Sequence, residues 1–192
     1  NFMGRFGWEM QKKFPKLSSG CYLKLQFMTR GKLQKQYIDY FMKDSENPPY
    51  PNVVNLETIN RCNSNCAFCT ANHFAEKREY KYMSEELYRK CIDDLADWKY
   101  KGHLTLYGNN EPWLDDNIVE RHKYAREKLP DCYIFMSTNG LLMTPEKMCE
   151  IVPYVDQLVI NNYCEDMKFH KSTADCYAYI KEHPDKFKNV DV

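Results

Sequence analysis

The chain has 192 residues, which is enough for one domain with a sizeable core. Lysines and arginines together number 27 and acidic residues also number 27, so the formal net charge is zero. The basic surface of a general nucleic-acid-binding protein is therefore not expected. The sequence shows no apolar run of about 18 residues and no signal peptide. We expect a cytoplasmic protein that binds neither membranes nor nucleic acid.

Residues 1–52 are predicted to form an N-terminal lead-in. One helix is predicted near Leu33–Met42, and the prolines at positions 48, 49 and 51 end any helix that precedes them. The first residue is Asn1, and the last segment, Asn189–Val192, resembles the start of a strand. We therefore expect a fragment that is cut at both ends.

From residue 53 onward, predicted strands alternate with predicted helices. Apolar runs predict strands at residues 53–58, 103–107, 132–136 and 155–160, and the start of a fifth strand at 189–192. This alternation is typical of βαβ units around a parallel sheet. The predicted fold class is α/β, with about four βα units plus the start of a fifth in residues 53–192.

A helix is predicted after each of the first four strands. Ser84, Thr144 and either Asp115 or Asp116 are suited to the N-cap position, and a weaker helix spans Thr173–Glu182. The apolar positions of the first helix are Leu87, Cys91, Leu95 and Trp98, with Gly102 as its end signal. The apolar face of the second helix includes Ile118, His122, Ala125 and Leu129.

The strongest signal is a cluster of three cysteines in the loop after the first strand. Cys62, Cys66 and Cys69 have spacings of three residues and then two. Three thiolates on one short loop can bind three irons of a 4Fe–4S cluster, and the fourth iron then lacks a protein ligand. An iron with an open position can bind a substrate or cofactor, as an open zinc position does.

A structural zinc site is the main alternative for these cysteines. Zinc is usually held by four ligands, and His73, four residues after Cys69, could supply the fourth. A disulfide with one spare thiol is a further alternative, which a reducing compartment disfavours. A non-catalytic zinc or iron–sulfur module thus stays open beside an enzyme.

The CxxxCxxC loop, with Phe68 before its last cysteine, resembles the signature of radical S-adenosylmethionine (radical SAM) enzymes. The resemblance implies a partial (β/α) barrel in which Cys62, Cys66 and Cys69 bind a 4Fe–4S cluster. It also implies that S-adenosylmethionine binds the open iron and that Phe68 lies beside the adenine. An external donor of the flavodoxin or ferredoxin type would supply the electron. Cleavage would give a 5′-deoxyadenosyl radical that abstracts hydrogen from a substrate, an oxidoreductase-type reaction.

The segment Gly108–Pro112, which follows the second strand, reads GNNEP. It resembles the family's GGEP motif, which binds the amino group of the methionine moiety. The resemblance implies contacts from Asn109, Asn110, Glu111 and Pro112. Asn110 stands where glycine is usual, and asparagine tolerates positive φ better than most residues. An ordinary strand-to-helix loop is the alternative.

The segment Ser137–Gly140, which follows the third strand, reads STNG. It resembles the family segment whose polar side chains approach the ribose and carboxylate, and strand alternation places Ser137 and Asn139 on one face. A plain Asn-Gly turn is the alternative. Asn161, at the end of the fourth strand, is a further implied cofactor contact, with capping of the strand end as its alternative. No catalytic side chain is assigned.

The resemblance covers about Val53 to Val192, with its segments in the family's order. The loop at Thr70–Met83 and the GNNEP variant look most like the branch that carries a C-terminal cysteine-rich (SPASM) extension. Members of that branch modify peptides, proteins or carbohydrate-type metabolites, so the resemblance implies a substrate of one of these classes. Outside the motifs, Cys91, Cys132 and Cys149 are predicted to be small core residues.

Overall fold

The computed structural model describes residues 51–69, 78–164 and 168–192, which all belong to one compact unit, Tyr50–Val192. The helix predicted near Leu33–Met42 and the zinc alternative's His73 lie outside these residues. Within the described ranges, no helix is long and apolar enough to cross a membrane.

Four parallel strands form one sheet in the order β1-β2-β3-β4. Their bounds are Val53–Asn55, His103–Thr105, Tyr133–Thr138 and Gln157–Ile160. Strands that are consecutive in the chain are therefore neighbours in the sheet, which confirms the predicted α/β class with parallel strands. Strand β3 continues two residues beyond its predicted end, so part of the STNG segment belongs to the sheet.

The predicted fifth strand is represented by a single parallel bridge between Gln157 and Asp191. Two backbone hydrogen bonds accompany it: Leu158 N donates to Asp191 O at 2.8 Å, and Asp191 N donates to Asp156 O at 3.0 Å. The segment at 189–192 thus lies beside β4, as the start of a further βα unit would.

Four α-helices follow the strands, α1 to α4 in chain order: Glu85–Asp97, Ile118–Lys128, Pro145–Ile151 and Lys171–Glu182. Two predicted caps are confirmed, because Ser84 Oγ accepts from Leu87 N at 3.2 Å and Thr144 Oγ1 accepts from Lys147 N at 3.3 Å. The predicted cap of α2 is wrong. Asn117 occupies that position without a side-chain hydrogen bond to the helix.

The predicted apolar face of α1 is confirmed at Leu95 and wrong at Leu87 and Trp98, where the buried face is shifted by about one residue. Tyr88, Ile92 and Leu95 are buried, whereas Leu87 is 48% exposed and Trp98 is 58% exposed. The predicted pair Leu87 and Cys91 and the buried pair Tyr88 and Ile92 both have helical spacing. Packing of Tyr88 against α2 decides which pair is buried. The helix also ends before Gly102, because Lys99 adopts a left-handed φ of 54°.

The core lies between the sheet and the helices. The strand register aligns Leu104 with Ile134 and Met136 with Leu158, and all four side chains are completely buried. Burial of each contributes about 1.5–3 kcal/mol of hydrophobic stabilisation. This core holds the strands in register and thereby fixes the loops that follow their carboxyl ends.

Candidate functional site

The three clustered cysteines are half-buried free thiols on the loop that follows β1. A backbone hydrogen bond from Cys69 N to Cys66 O, 3.0 Å long, folds the end of this loop into a turn. Burial raises the pKa of Cys66, and the neighbouring Cys62 and Cys69 raise it further. Three thiolates can bind three of the four irons of a 4Fe–4S cluster, one thiolate to each iron.

A site for a single metal ion is a separate question from a site for a cluster. In the parts of the chain that the structure describes, no three Cys, His, Asp or Glu side chains form a group that could hold one ion.

Two N–H groups point at the sulfur of Cys62. Ser64 N lies 3.4 Å from Cys62 Sγ, and Asn139 Nδ2 lies 3.7 Å from it. The first donor comes from the cysteine loop itself, and the second comes from the end of β3. Donors of this kind stabilise negative charge on a thiolate ligand.

Glu111 connects the GNNEP segment to the end of β3. Its side chain is 1% exposed. Its Oε1 accepts from Thr138 Oγ1 at 2.6 Å and from Trp113 N at 3.2 Å, and its Oε2 accepts from Asn139 N at 2.8 Å. Burial raises the pKa of Glu111, while these hydrogen bonds act in the opposite direction. The described contacts of this carboxylate are thus with the protein.

The backbone of the GNNEP segment is tied to the cysteine loop. Glu111 N donates to Arg61 O at 2.9 Å, directly before Cys62. Asn109 N donates at 3.0 Å to Oε1 of Glu57, a residue between β1 and the cysteines. The loops after β1 and β2 are therefore held together by hydrogen bonds from main-chain N–H groups of the GNNEP segment.

Asn110 differs from the sequence expectation in one respect. The backbone of Asn110 is not in the left-handed conformation, because its φ is not positive. Among the described non-glycine residues, positive φ occurs at Lys99. Asn110 Oδ1 instead accepts from Gly108 N at 2.7 Å and closes the turn. Its Nδ2 is buried and has no hydrogen-bond partner among the described residues. An orphaned amide donor in this position is suited to a ligand with an acceptor oxygen.

Asn139 belongs both to a turn and to the site. Its Oδ1 accepts from Leu141 N at 3.0 Å, and the following Gly140 has a φ of 76°. A Cβ at Gly140 would lie 2.8 Å from Thr173 Oγ1, so a side chain is excluded there. The amide nitrogen of Asn139 donates to Asn63 Oδ1 at 2.7 Å, in addition to its contact with Cys62.

Ser137 and Asn161 are brought together at the ends of β3 and β4. Asn161 Nδ2 donates to Ser137 Oγ at 2.8 Å and to Thr138 O at 2.9 Å. These are the contacts that capping of a strand end requires. They also place two polar side chains at the same edge of the sheet as the cysteine loop.

Phe68 is 69% exposed, and its ring packs edge-on against Tyr163 with the centroids 5.0 Å apart. Tyr163 follows β4, so this contact joins the cysteine loop to the last strand. Burial raises the pKa of Tyr163, and the nearby thiols raise it further, Cys66 most of all. An exposed pair of rings beside the cysteines offers an apolar surface on which a planar base can stack.

Sequence reasoning missed three residues of this site: Asn63, Thr138 and Tyr163. Asn63 lies inside the cysteine loop, and Thr138 is the second residue of the STNG segment. Alternation directed attention to Ser137 and Asn139, yet Thr138 makes the hydrogen bond to Glu111. The signal that could have identified Thr138 is its hydroxyl, which can reach the loop of the neighbouring parallel strand.

Comparison with known proteins adds a family. Residues 56–162, more than half of the chain, match the radical SAM superfamily. Among curated proteins, the uncharacterized protein MJ0907 of Methanocaldococcus jannaschii is 30% identical over 104 residues, which cover 53% of this chain and 34% of that protein. The chain therefore spans about a third of the length of this relative.

Solved structures with a similar fold include BtrN in complex with AdoMet and 2-DOIA. The TM-score is 0.60 at 19% sequence identity, and the match covers 66% of this chain and 50% of BtrN. An open conformation of BtrN gives a TM-score of 0.54 at 17% identity, covering 65% of this chain and 58% of that one. At these identities the likeness establishes the fold, over about half of the similar structures.

Proposed function

Since the chain belongs to the radical SAM superfamily of enzymes, which use a 4Fe–4S cluster and S-adenosylmethionine, we propose that its three clustered cysteines hold the cluster. The predicted family, the enzyme class and the two cofactors are confirmed. The residue assignments are our proposal: Cys62, Cys66 and Cys69 for the cluster, and Phe68, Asn109, Asn110, Glu111, Pro112, Ser137, Asn139 and Asn161 around S-adenosylmethionine.

The observation that carries the proposal is a hydrogen-bonded junction of three loop segments. Glu111 bonds to Arg61 O in the cysteine loop and to Thr138 and Asn139 at the end of β3. Asn139 in turn donates to Cys62 Sγ. Segments that are distant in sequence thus meet beside the cysteines at the carboxyl ends of the strands, where parallel α/β folds place their ligands.

When bound, the cluster supplies the electron that cleaves S-adenosylmethionine. The residues of the chain bind and orient the cluster and S-adenosylmethionine. Three thiolates would leave one iron of the cluster without a protein ligand, and the buried Nδ2 of Asn110 would offer a donor for the carboxylate of the methionine moiety. The exposed ring of Phe68, backed by Tyr163, offers the adenine an apolar surface. Ser137 and Asn161 add polar groups at the same edge.

We extend the proposal to the finer properties that the resemblance implies. The electron donor is of the flavodoxin or ferredoxin type, and hydrogen is abstracted from a peptide, protein or carbohydrate-type metabolite in an oxidoreductase-type reaction. The chain is cytoplasmic and belongs to the SPASM branch. Residues 53–192 contribute to the catalytic core, and residues 1–52 form a lead-in to it. The GNNEP variant of the second motif supports the branch assignment.

Oxygen-free reconstitution with iron and sulfide tests the cluster assignment. We expect about four irons per chain and a visible charge-transfer band, both of which are lost in Cys62→Ala, Cys66→Ala and Cys69→Ala. Cys91→Ala and Cys149→Ala are matched controls, because these thiols are half-buried on α1 and α3. We expect both controls to retain the full iron content.

Turnover tests the reaction. With a strong reductant, the reconstituted full-length protein should convert S-adenosylmethionine into 5′-deoxyadenosine, measured by chromatography. A colourless protein with one zinc per chain would support the non-catalytic module instead. Formation of S-adenosylhomocysteine alone would indicate a methyl transferase of another class.

A further inference from the structure

All polar atoms of the Asn139 side chain are engaged by the protein. The amide nitrogen donates to Asn63 Oδ1 at 2.7 Å and to Cys62 Sγ at 3.7 Å, and the amide oxygen accepts from Leu141 N at 3.0 Å. The residue is 8% exposed. Asn139 is therefore oriented toward the cysteine loop whether or not a ligand lies beside it.

Glu111 fixes the backbone from which this side chain projects. Its Oε2 accepts from Asn139 N at 2.8 Å, and its Oε1 accepts from Thr138 Oγ1 at 2.6 Å. Glu111 N donates to the carbonyl oxygen of Arg61, the residue before Cys62. The same glutamate is therefore bonded to the backbone next to Cys62 and to the backbone of Asn139. The distance between the Asn139 amide and the Cys62 sulfur is thus set by a buried bridge.

We propose that Asn139 is a positioning residue that makes the cluster easier to reduce, through its N–H···S hydrogen bond to Cys62, and that Glu111 holds it in place. The inference rests on the proposed function, because it takes Cys62 as a cluster ligand. Reduction adds negative charge that is shared by the sulfur ligands. A donor at a ligand sulfur stabilises the reduced form more than the oxidised form and raises the reduction potential.

The test is a redox titration of the reconstituted cluster without S-adenosylmethionine, followed by electron paramagnetic resonance of the reduced form. For Asn139→Ala we expect about a tenfold smaller equilibrium constant for one-electron reduction, which is about 59 mV. Asn139→Asp keeps the acceptor for Leu141 N but replaces the donor with a carboxylate, so its potential should fall further. Glu111→Gln should cause a smaller fall in the same direction.

Asn162→Ala is the matched control. Asn162 also lies after a strand, and its amide is bonded to Lys168 O at 2.9 Å and to His170 N at 3.1 Å rather than to a sulfur. We expect its potential to equal that of the wild type within a factor of two in the equilibrium constant. This variant removes an asparagine amide near the sheet edge without removing the N–H···S contact.

The resonance titration reports only molecules that contain a reduced cluster, so a variant with lowered iron content still gives a potential. Equal potentials for the wild type, Asn139→Ala and Asn139→Asp would overturn the inference and leave the proposed function intact. A wild-type protein that takes up no cluster would overturn the proposed function itself. An equally large fall in Asn162→Ala would show that the effect is not specific to the sulfur contact and would also overturn the inference.

Discussion

Buried polar groups are accommodated differently at the carboxyl edge of the sheet and inside helix α2. Glu111, at the edge, is 1% exposed, and its carboxylate accepts three hydrogen bonds. His122, in α2, is 0% exposed; its Nδ1 hydrogen-bonds to Ile118 O at 2.8 Å, and its Nε2 has no partner among the described residues. A carboxylate that stays charged needs several donors, whereas an imidazole can lose its charge and be buried with fewer partners.

The largest effect expected from this difference is on Glu111. Glu111→Ala leaves three donors without their acceptor, so we expect the free energy of unfolding to fall by about 3 kcal/mol. Urea unfolding measures it. Glu111→Gln, which keeps the volume and one acceptor, should lose about half as much.

Glu127→Ala is a control on the exposed surface of α2. It should change the free energy of unfolding by less than about 0.5 kcal/mol. A loss below about 1 kcal/mol in Glu111→Ala would mean that the bridge between the loops is not a strong structural element.

The sequence predicted where the hydrogen-bonded residues around Glu111 lie better than it predicted which of them bond to each other. Motif order placed Glu111 and Asn139 at the carboxyl edge because each follows a strand of a parallel sheet. It could not predict that Thr138 bonds to Glu111, since that contact depends on where β3 ends. Nor could it predict the pairing of Asn139 with Asn63, which joins positions 76 residues apart.

The face of α1 shows the same limit for the core. Leu87 and Cys91 have the same spacing as Tyr88 and Ile92, so periodicity alone accepts both stripes. The structure buries Tyr88, whose hydroxyl donates to Arg121 O and whose ring lies 5.0 Å from the Arg121 guanidinium carbon. The choice thus depends on packing against α2, a contact between elements that is not visible in the helix itself.

The next largest effect is the pH dependence that His122 confers. Burial, together with the charge of Arg126, lowers the pKa of His122 from 6.5 to about 4. Below pH 6.5 the unfolded chain binds a proton that the folded chain does not bind until the pH nears 4, so stability is lost as the pH falls through this window. Between pH 7 and pH 5 the contribution is about 2 kcal/mol.

Urea unfolding at both pH values checks this, and carboxylates contribute equally in every variant. His122→Gln should reduce the pH dependence by that amount, while His183→Gln, at an exposed position, should leave it unchanged. If His122→Gln kept the full pH dependence, His122 would not be its source, and burial in α2 would not disfavour the charged imidazole.

The smallest expected effect on the free energy of unfolding concerns exposed polar groups at the N-terminal ends of helices α1 and α2. Ser84 Oγ accepts from Leu87 N at 3.2 Å, whereas Asn117, at the same position of α2, makes no such bond. Ser84→Ala should therefore lower the free energy of unfolding by about 1 kcal/mol, and Asn117→Ala by only a few tenths. Thermal or urea unfolding measures the two losses.

Equal losses in the two variants would indicate that residue type rather than the hydrogen bond determines the cap energy. A loss in Ser84→Ala alone would mean that water replaces a missing partner at α2, which it cannot do around the buried carboxylate of Glu111.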